Sequence, residues 1–117
     1  MIAVQNFSNV LTLAKDDDDF IMTFIAKSTE DLENYLHSIK AASASENLPL
    51  LLFTKHKSST LLMLLGDTDV TTLIDAIVEK ARNHDWDLAP EIIKLEIEVR
   101  GLIYKINTEL KTQEDYK

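Results

Sequence analysis

Four groups of residues in this chain have the types and spacing to do chemistry, and the densest is the acidic run Asp16, Asp17, Asp18 and Asp19. Adjacent carboxylates can hold Ca²⁺ or Mg²⁺, which take several oxygen ligands. This run lacks the alternating acids, the glycine and the distal glutamate of a calcium loop. It reads better as a solvated acidic linker, or as an electrostatic docking surface for a basic partner. Glu30, Asp31 and Glu33 extend the acidic character. Together these seven residues form the candidate partner-binding set, since like-signed exposed charge steers a complementary surface.

The second group is Asp67 and Asp69, which follow Gly66 in a G-D-x-D arrangement. Two acids ahead of a helix are explained by capping and by the positive end of the helix dipole. A phosphate would be repelled there, and two glycines in the whole chain exclude a glycine-rich phosphate loop. The third group is His84-Asp85-Trp86-Asp87. An imidazole beside a carboxylate is a general base only with a nucleophile in reach, and no G-x-S-x-G turn is present. A helix-exit loop with Trp86 folded onto the core is the plainer reading. His37, His56 and His84 have no metal-ligand spacing. The fourth group, Lys55-His56-Lys57-Ser58-Ser59, is a local basic cluster that suits a hairpin tip protected against edge pairing. These groups lead to no expected catalytic residue, metal site or cofactor.

Composition narrows the classes further. The chain has 117 residues, 45% of them hydrophobic, which is one domain's worth with enough apolar material for a core. It contains no cysteine, which removes disulfides, thiolate metal sites and cysteine nucleophiles and fits a reducing, cytoplasmic setting. Twelve basic against 20 acidic residues give a net charge of −8. Nucleic acid and anionic membrane surfaces are therefore disfavoured partners. The apolar runs at residues 48–53 and 61–65 fall far short of a membrane span.

The elements that would position these groups read as follows. Phe7, Val10, Leu11 and Ala14 have helical spacing. Residues 20–26 (FIMTFIA) form a short apolar run of strand length. Ser28 with Asp31 resembles a capping box, opening a helix whose stripe is Leu32, Tyr35, Leu36, Ile39 and Ala42. Residues 50–53 and 60–65 read as two strands joined by a polar hairpin loop at 54–59. Val70, Leu73, Ile74, Ile77, Val78 and Ala81 mark a second helix, capped by Thr68 or Asp69. Residues 91–100 satisfy two periods. Ile93, Leu95, Ile97 and Val99 alternate with charged residues as in a strand, whereas Ile92, Leu95, Val99, Leu102 and Ile106 follow a helical seam. Gly101 favours a strand that ends near Arg100, then a helix over 102–112 and a frayed tail over 113–117.

The resulting expectation is a single α+β domain with ferredoxin-like βαββαβ order across residues 20–100. Residues 20–26, 50–53 and 61–65 are apolar on both faces, so the sheet face away from the helices would need a cover, supplied by the N-terminal segment, by the C-terminal helix or by a second copy in a homodimer. That order serves many unrelated functions. The expected role is a non-enzymatic, acidic protein-binding module: an inhibitor, immunity-type protein, adaptor or regulatory subunit. The alternatives are a small-molecule-sensing domain with a pocket at the sheet–helix or dimer interface, and a small enzyme using Asp67, Asp69 or His84.

Overall fold

The computed structural model describes residues 7–15 and 17–110, and every regular element in it is helical. These are α1 (Ser8–Ala14), α2 (Asp18–Ala44), α3 (Leu48–Leu64), α4 (Asp69–Arg82) and α5 (Ala89–Lys105), with α5 passing into a π-helical turn at Ile106–Leu110. The ferredoxin-like α+β expectation is therefore overturned. No strand exists among the described residues, and the segments expected as strands, 20–26, 50–53, 60–65 and 91–100, lie in α2, in α3 with Leu65 as its C-cap, and in α5. The tail expected to fray lies outside the described residues.

Helix α2 shows why. Its buried side chains are Ile21, Ile25, Ser28, Leu32, Leu36, Ile39 and Ala42, one stripe of helical spacing over six turns. Ser28 is part of that stripe rather than a cap, and its hydroxyl donates to the Phe24 and Ile25 carbonyls of its own helix. The helix starts earlier, at Asp17, whose Oδ1 accepts the Phe20 N–H at 3.0 Å. Asp18 and Asp19 occupy the first turn, where the helix dipole offsets the mutual repulsion that suggested a loop.

Helix α3 hides its stripe in the same way. Leu51, Thr54, Ser58, Leu62 and Leu65 are buried at 3-4-4-3 spacing. Two of the five carry hydroxyls, which makes the middle of the helix read as a polar loop. Thr54 Oγ1 donates to the Leu50 carbonyl at 2.9 Å and Ser58 Oγ to the Lys55 carbonyl at 3.1 Å, so neither enters the core unsatisfied. Asn47 caps the helix by accepting the Leu50 N–H at 3.0 Å, and Pro49 sits in its first turn. The expectation for α4 holds: the helix runs Asp69–Arg82 and buries Val70, Ile74, Ile77, Val78 and Ala81.

Short connections make sequential helices antiparallel, and α2, α3, α4 and α5 close into a four-helix ring through an α2–α5 contact. The α2–α5 register is fixed by three cross-links: Lys40–Glu96 at 2.6 Å, Glu33–Arg100 at 4.0 Å and Thr29–Asn107 at 3.0 Å. Lys55–Asp75 at 3.2 Å joins α3 to α4. Lys80 fastens the α4–α5 connection, reaching Glu91 at 3.3 Å, Asp85 at 3.8 Å and the Asp87 carbonyl at 2.8 Å. With 27 residues, α2 is about 40 Å long. It overhangs the 17-residue α3, and α1 and the π turn cover the overhang. Trp86 is half-buried against the core, as expected for that loop.

Candidate interaction surface

The acidic set does not form one patch. Asp16 lies outside the described residues. Asp17, Asp18 and Asp19 are exposed at the N-terminal end of α2, with Phe20 and Met22 partly exposed beside them. Glu30 is about 17 Å further along the helix axis. At 100° per residue, Asp31 and Glu33 fan out over about 160° of the helix circumference, with Glu30 between them. Their charge is also locally compensated. Lys27 binds Asp31 at 3.0 Å and approaches Glu30 at 3.8 Å, while Arg100 faces Glu33. The Asp31 hydrogen bond, and then its charge, hold the Lys27 ammonium above its ordinary pKa. Burial, and then the Asp31 charge, push the Tyr35 hydroxyl up as well.

The other sequence candidates are also dispersed. Asp67 is buried and accepts the Val70 N–H at 2.8 Å, so it is Asp67, rather than Thr68 or Asp69, that caps α4 through its side chain. Asp69 is exposed. His84 lies past the other end of α4, about 20 Å from Asp69 along the axis, and is exposed. The expected basic hairpin tip is the middle of α3, where Lys55 pairs with Asp75 and Lys57 stands 5.7 Å from the Phe53 ring centroid. No group of three or more His, Asp or Glu capable of holding a metal ion occurs among the described residues.

What the sequence reading missed is the outer face of α5. The inner face of this helix buries Leu95, Val99 and Leu102. On the opposite side Ile93, Ile97 and Tyr104 are 61%, 64% and 70% exposed. Pro90 and Gly101 are exposed too, and a Cβ built on Gly101 would meet nothing within 4 Å. At 100° per residue the five fall within about 80° of arc, a continuous apolar stripe with a smooth patch at its glycine. The stripe was visible in the sequence as Ile93 and Ile97, the two residues that did not fit the helical seam.

The two edges of the stripe differ. Toward α2, Glu96 is held by Lys40 and by Arg100, at 2.6 and 3.3 Å. The Lys40 hydrogen bond and charge, with a smaller part from Arg100, keep the Glu96 carboxyl below its ordinary range. Toward α4 lie Lys94 and Glu98, beside a shallow groove that also includes Asp69, Thr72 and Leu73. Neither Lys94 nor Glu98 takes part in an ion pair among the described residues.

A separate cleft of about 250 Å³ opens between α3 and α4. Leu62, Met63 and Ile74 supply its apolar lining, with Asp67 and the Lys55–Asp75 pair among its polar groups. No helix among the described residues is long and apolar enough to cross a membrane. Comparison with family models, with curated proteins and with solved structures gives no match.

Proposed function

We propose that this protein is a non-enzymatic, acidic protein-binding module, of the inhibitor, immunity-type, adaptor or regulatory-subunit kind, working in the cytoplasm through the outer face of α5. The observation that carries the reading is the exposure of Ile93, Ile97 and Tyr104 in one stripe on a single helix. Scattered exposed apolar residues are ordinary, whereas a contiguous run with a polar rim marks a contact surface. Asp17, Asp18 and Asp19, at the N-terminal end of α2 rather than on α5, would add long-range, salt-dependent attraction for the basic surface of a further protein partner. The cysteine-free composition suits a reducing compartment. The test is affinity capture from the native host with the wild-type chain and with Ile97→Asp, both checked for helicity. A partner retained by the first and lost by the second supports the reading. An identical set on both counts against it.

A second reading, small-molecule sensing, draws support from the α3–α4 cleft, because ligand sites are concave, mainly apolar and fitted with a few polar groups. Its measure is thermal stabilisation across a metabolite library, weakened by Ile74→Trp in the cleft. A flat response would dismiss it.

A further inference from the structure

We infer that the partner seated on the outer face of α5 is a second copy of this chain, docked through an antiparallel, two-fold pairing of α5 helices centred near Ile97. This rests on reading that face as a contact surface and adds the identity of its occupant.

Three features support it. First, the stripe is complementary to itself. A two-fold axis at Ile97 sets residue 93 of one copy opposite 101 of the other, and 90 opposite 104. Ile93 then projects onto Gly101, the position with no side chain and open space above it, and Tyr104 lies on Pro90. Each large side chain meets a small or flat one, which is how helix faces interdigitate. Second, the edge charges reciprocate. A two-fold axis perpendicular to the helices keeps each edge of the stripe on its own side, so the α4-facing edge of one copy meets the α4-facing edge of the other. Lys94 of each copy then approaches Glu98 of its mate, twice over, and neither residue has an ion-pair partner among the described residues. This is the isologous pattern of a two-fold interface, in which residue i meets j and j meets i. Third, the local charge permits contact. The chain carries −8 overall, yet on α5 the three acids Glu91, Glu96 and Glu98 balance the three bases Lys94, Arg100 and Lys105. Two copies therefore meet where their mutual repulsion is weakest. With five residues a side the interface is small, so the dimer is weak and concentration-dependent.

Sedimentation velocity over a micromolar concentration series tests it. The wild-type chain is expected to shift reversibly from monomer toward dimer as concentration rises. Ile97→Asp is expected to stay monomeric with unchanged helicity. Lys94→Glu and Glu98→Lys, each alone, turn both attractive pairs into repulsive ones and are expected to weaken association about three- to tenfold. The double variant K94E/E98K restores opposite charges across the axis and is expected to recover most of the wild-type affinity. Two results would overturn the inference: a monomer at every concentration, or a double variant no better than the singles. If the chain stays monomeric while Ile97→Asp abolishes capture of a different protein, the contact face stands and the second copy is rejected. If Ile97→Asp changes neither property, both readings fail together.

Discussion

Leu95 and Ile97 are two residues apart, and their truncation to alanine separates the helical structure from the strand pattern that the sequence also satisfies. In a strand they would share a face and cost alike. In α5 they point to opposite sides: Leu95 is fully buried and Ile97 is 64% exposed. Leu95→Ala removes a buried side chain from the α2–α4–α5 interior and leaves a cavity, a change that costs about 3–5 kcal/mol when the surroundings relax only partly. Ile97→Ala removes side-chain atoms that already face solvent and replaces a β-branched residue with a better helix former. Its cost is within about 0.5 kcal/mol of zero. For a chain this size, with a urea m-value of about 1.5 kcal/mol/M, the Leu95→Ala midpoint falls by roughly 2–3 M and that of Ile97→Ala hardly moves. The assay is urea unfolding followed by far-UV circular dichroism, at a protein concentration low enough to suppress self-association. Equal losses at the two positions would refute the helix and reinstate the strand.

Three further outcomes follow from the same geometry. Gly101→Ala places its Cβ in open space on a helix, so it is expected to stabilise the isolated chain by about 0.8 kcal/mol, raising Tm by roughly 3 °C while weakening self-association; a lowered Tm would contradict the helical backbone there. Glu46 and His84 hold left-handed backbone (φ 52° and 62°) just past the ends of α2 and α4, where glycine is the usual occupant. Glu46→Gly and His84→Gly each relieve a conformation costing about 1–2 kcal/mol, partly offset by greater unfolded-state freedom. A small rise in the urea midpoint is expected for each, and a fall would exclude that geometry. Glu96 is held below its ordinary pKa by Lys40, so its charged form is favoured in the folded state. The stability it adds is present above the ordinary glutamate range and is lost as pH falls through its lowered folded-state value. The Tm gap between wild type and Glu96→Gln is therefore expected to be steady at neutral pH and to close in acid. A gap that widens in acid would reverse the assignment.

How much of this was legible depended on whether a helix advertised its period. In α4 every buried position is apolar and the polar face is continuous, so the sequence specified the helix outright. In α2 and α3 the period is carried across the middle by Ser28, Thr54 and Ser58, whose hydroxyls are satisfied by their own helical carbonyls and so behave as small core residues. Judged by hydropathy alone, α2 divides at Ser28 into a short apolar run and a separate helix, and α3 into two short apolar runs with a polar loop between them, the pattern of a hairpin. Punctuation was missing as well. The residues that turn left-handed after α1, α2 and α4 are Lys15, Glu46 and His84, so three of the helix ends lack the glycine that normally marks them. One of the chain's two glycines, Gly101, sits inside α5 and falsely suggested a boundary.

The α5 ambiguity has a different cause, and it leads to the contact surface. Strict alternation over residues 93–99 can arise on a helix only if both of its faces are apolar, because positions two apart lie about 200° from each other. Burial accounts for one face, through Leu95, Val99 and Leu102. Among the described residues nothing accounts for the other, where Ile93, Ile97 and Tyr104 are exposed beside the opposite charges of Lys94 and Glu98. The strand-like pattern was therefore an overlay of two helical patterns, one buried in the core and one exposed on the outer face of α5. The two-faced apolar runs that suggested a sheet in need of a cover lie elsewhere, at residues 20–26, 50–53 and 61–65 of α2 and α3. On the outer face of α5 it is the exposed stripe that lacks a cover among the described residues, and under the proposed two-fold pairing Lys94 and Glu98 of each copy would face one another.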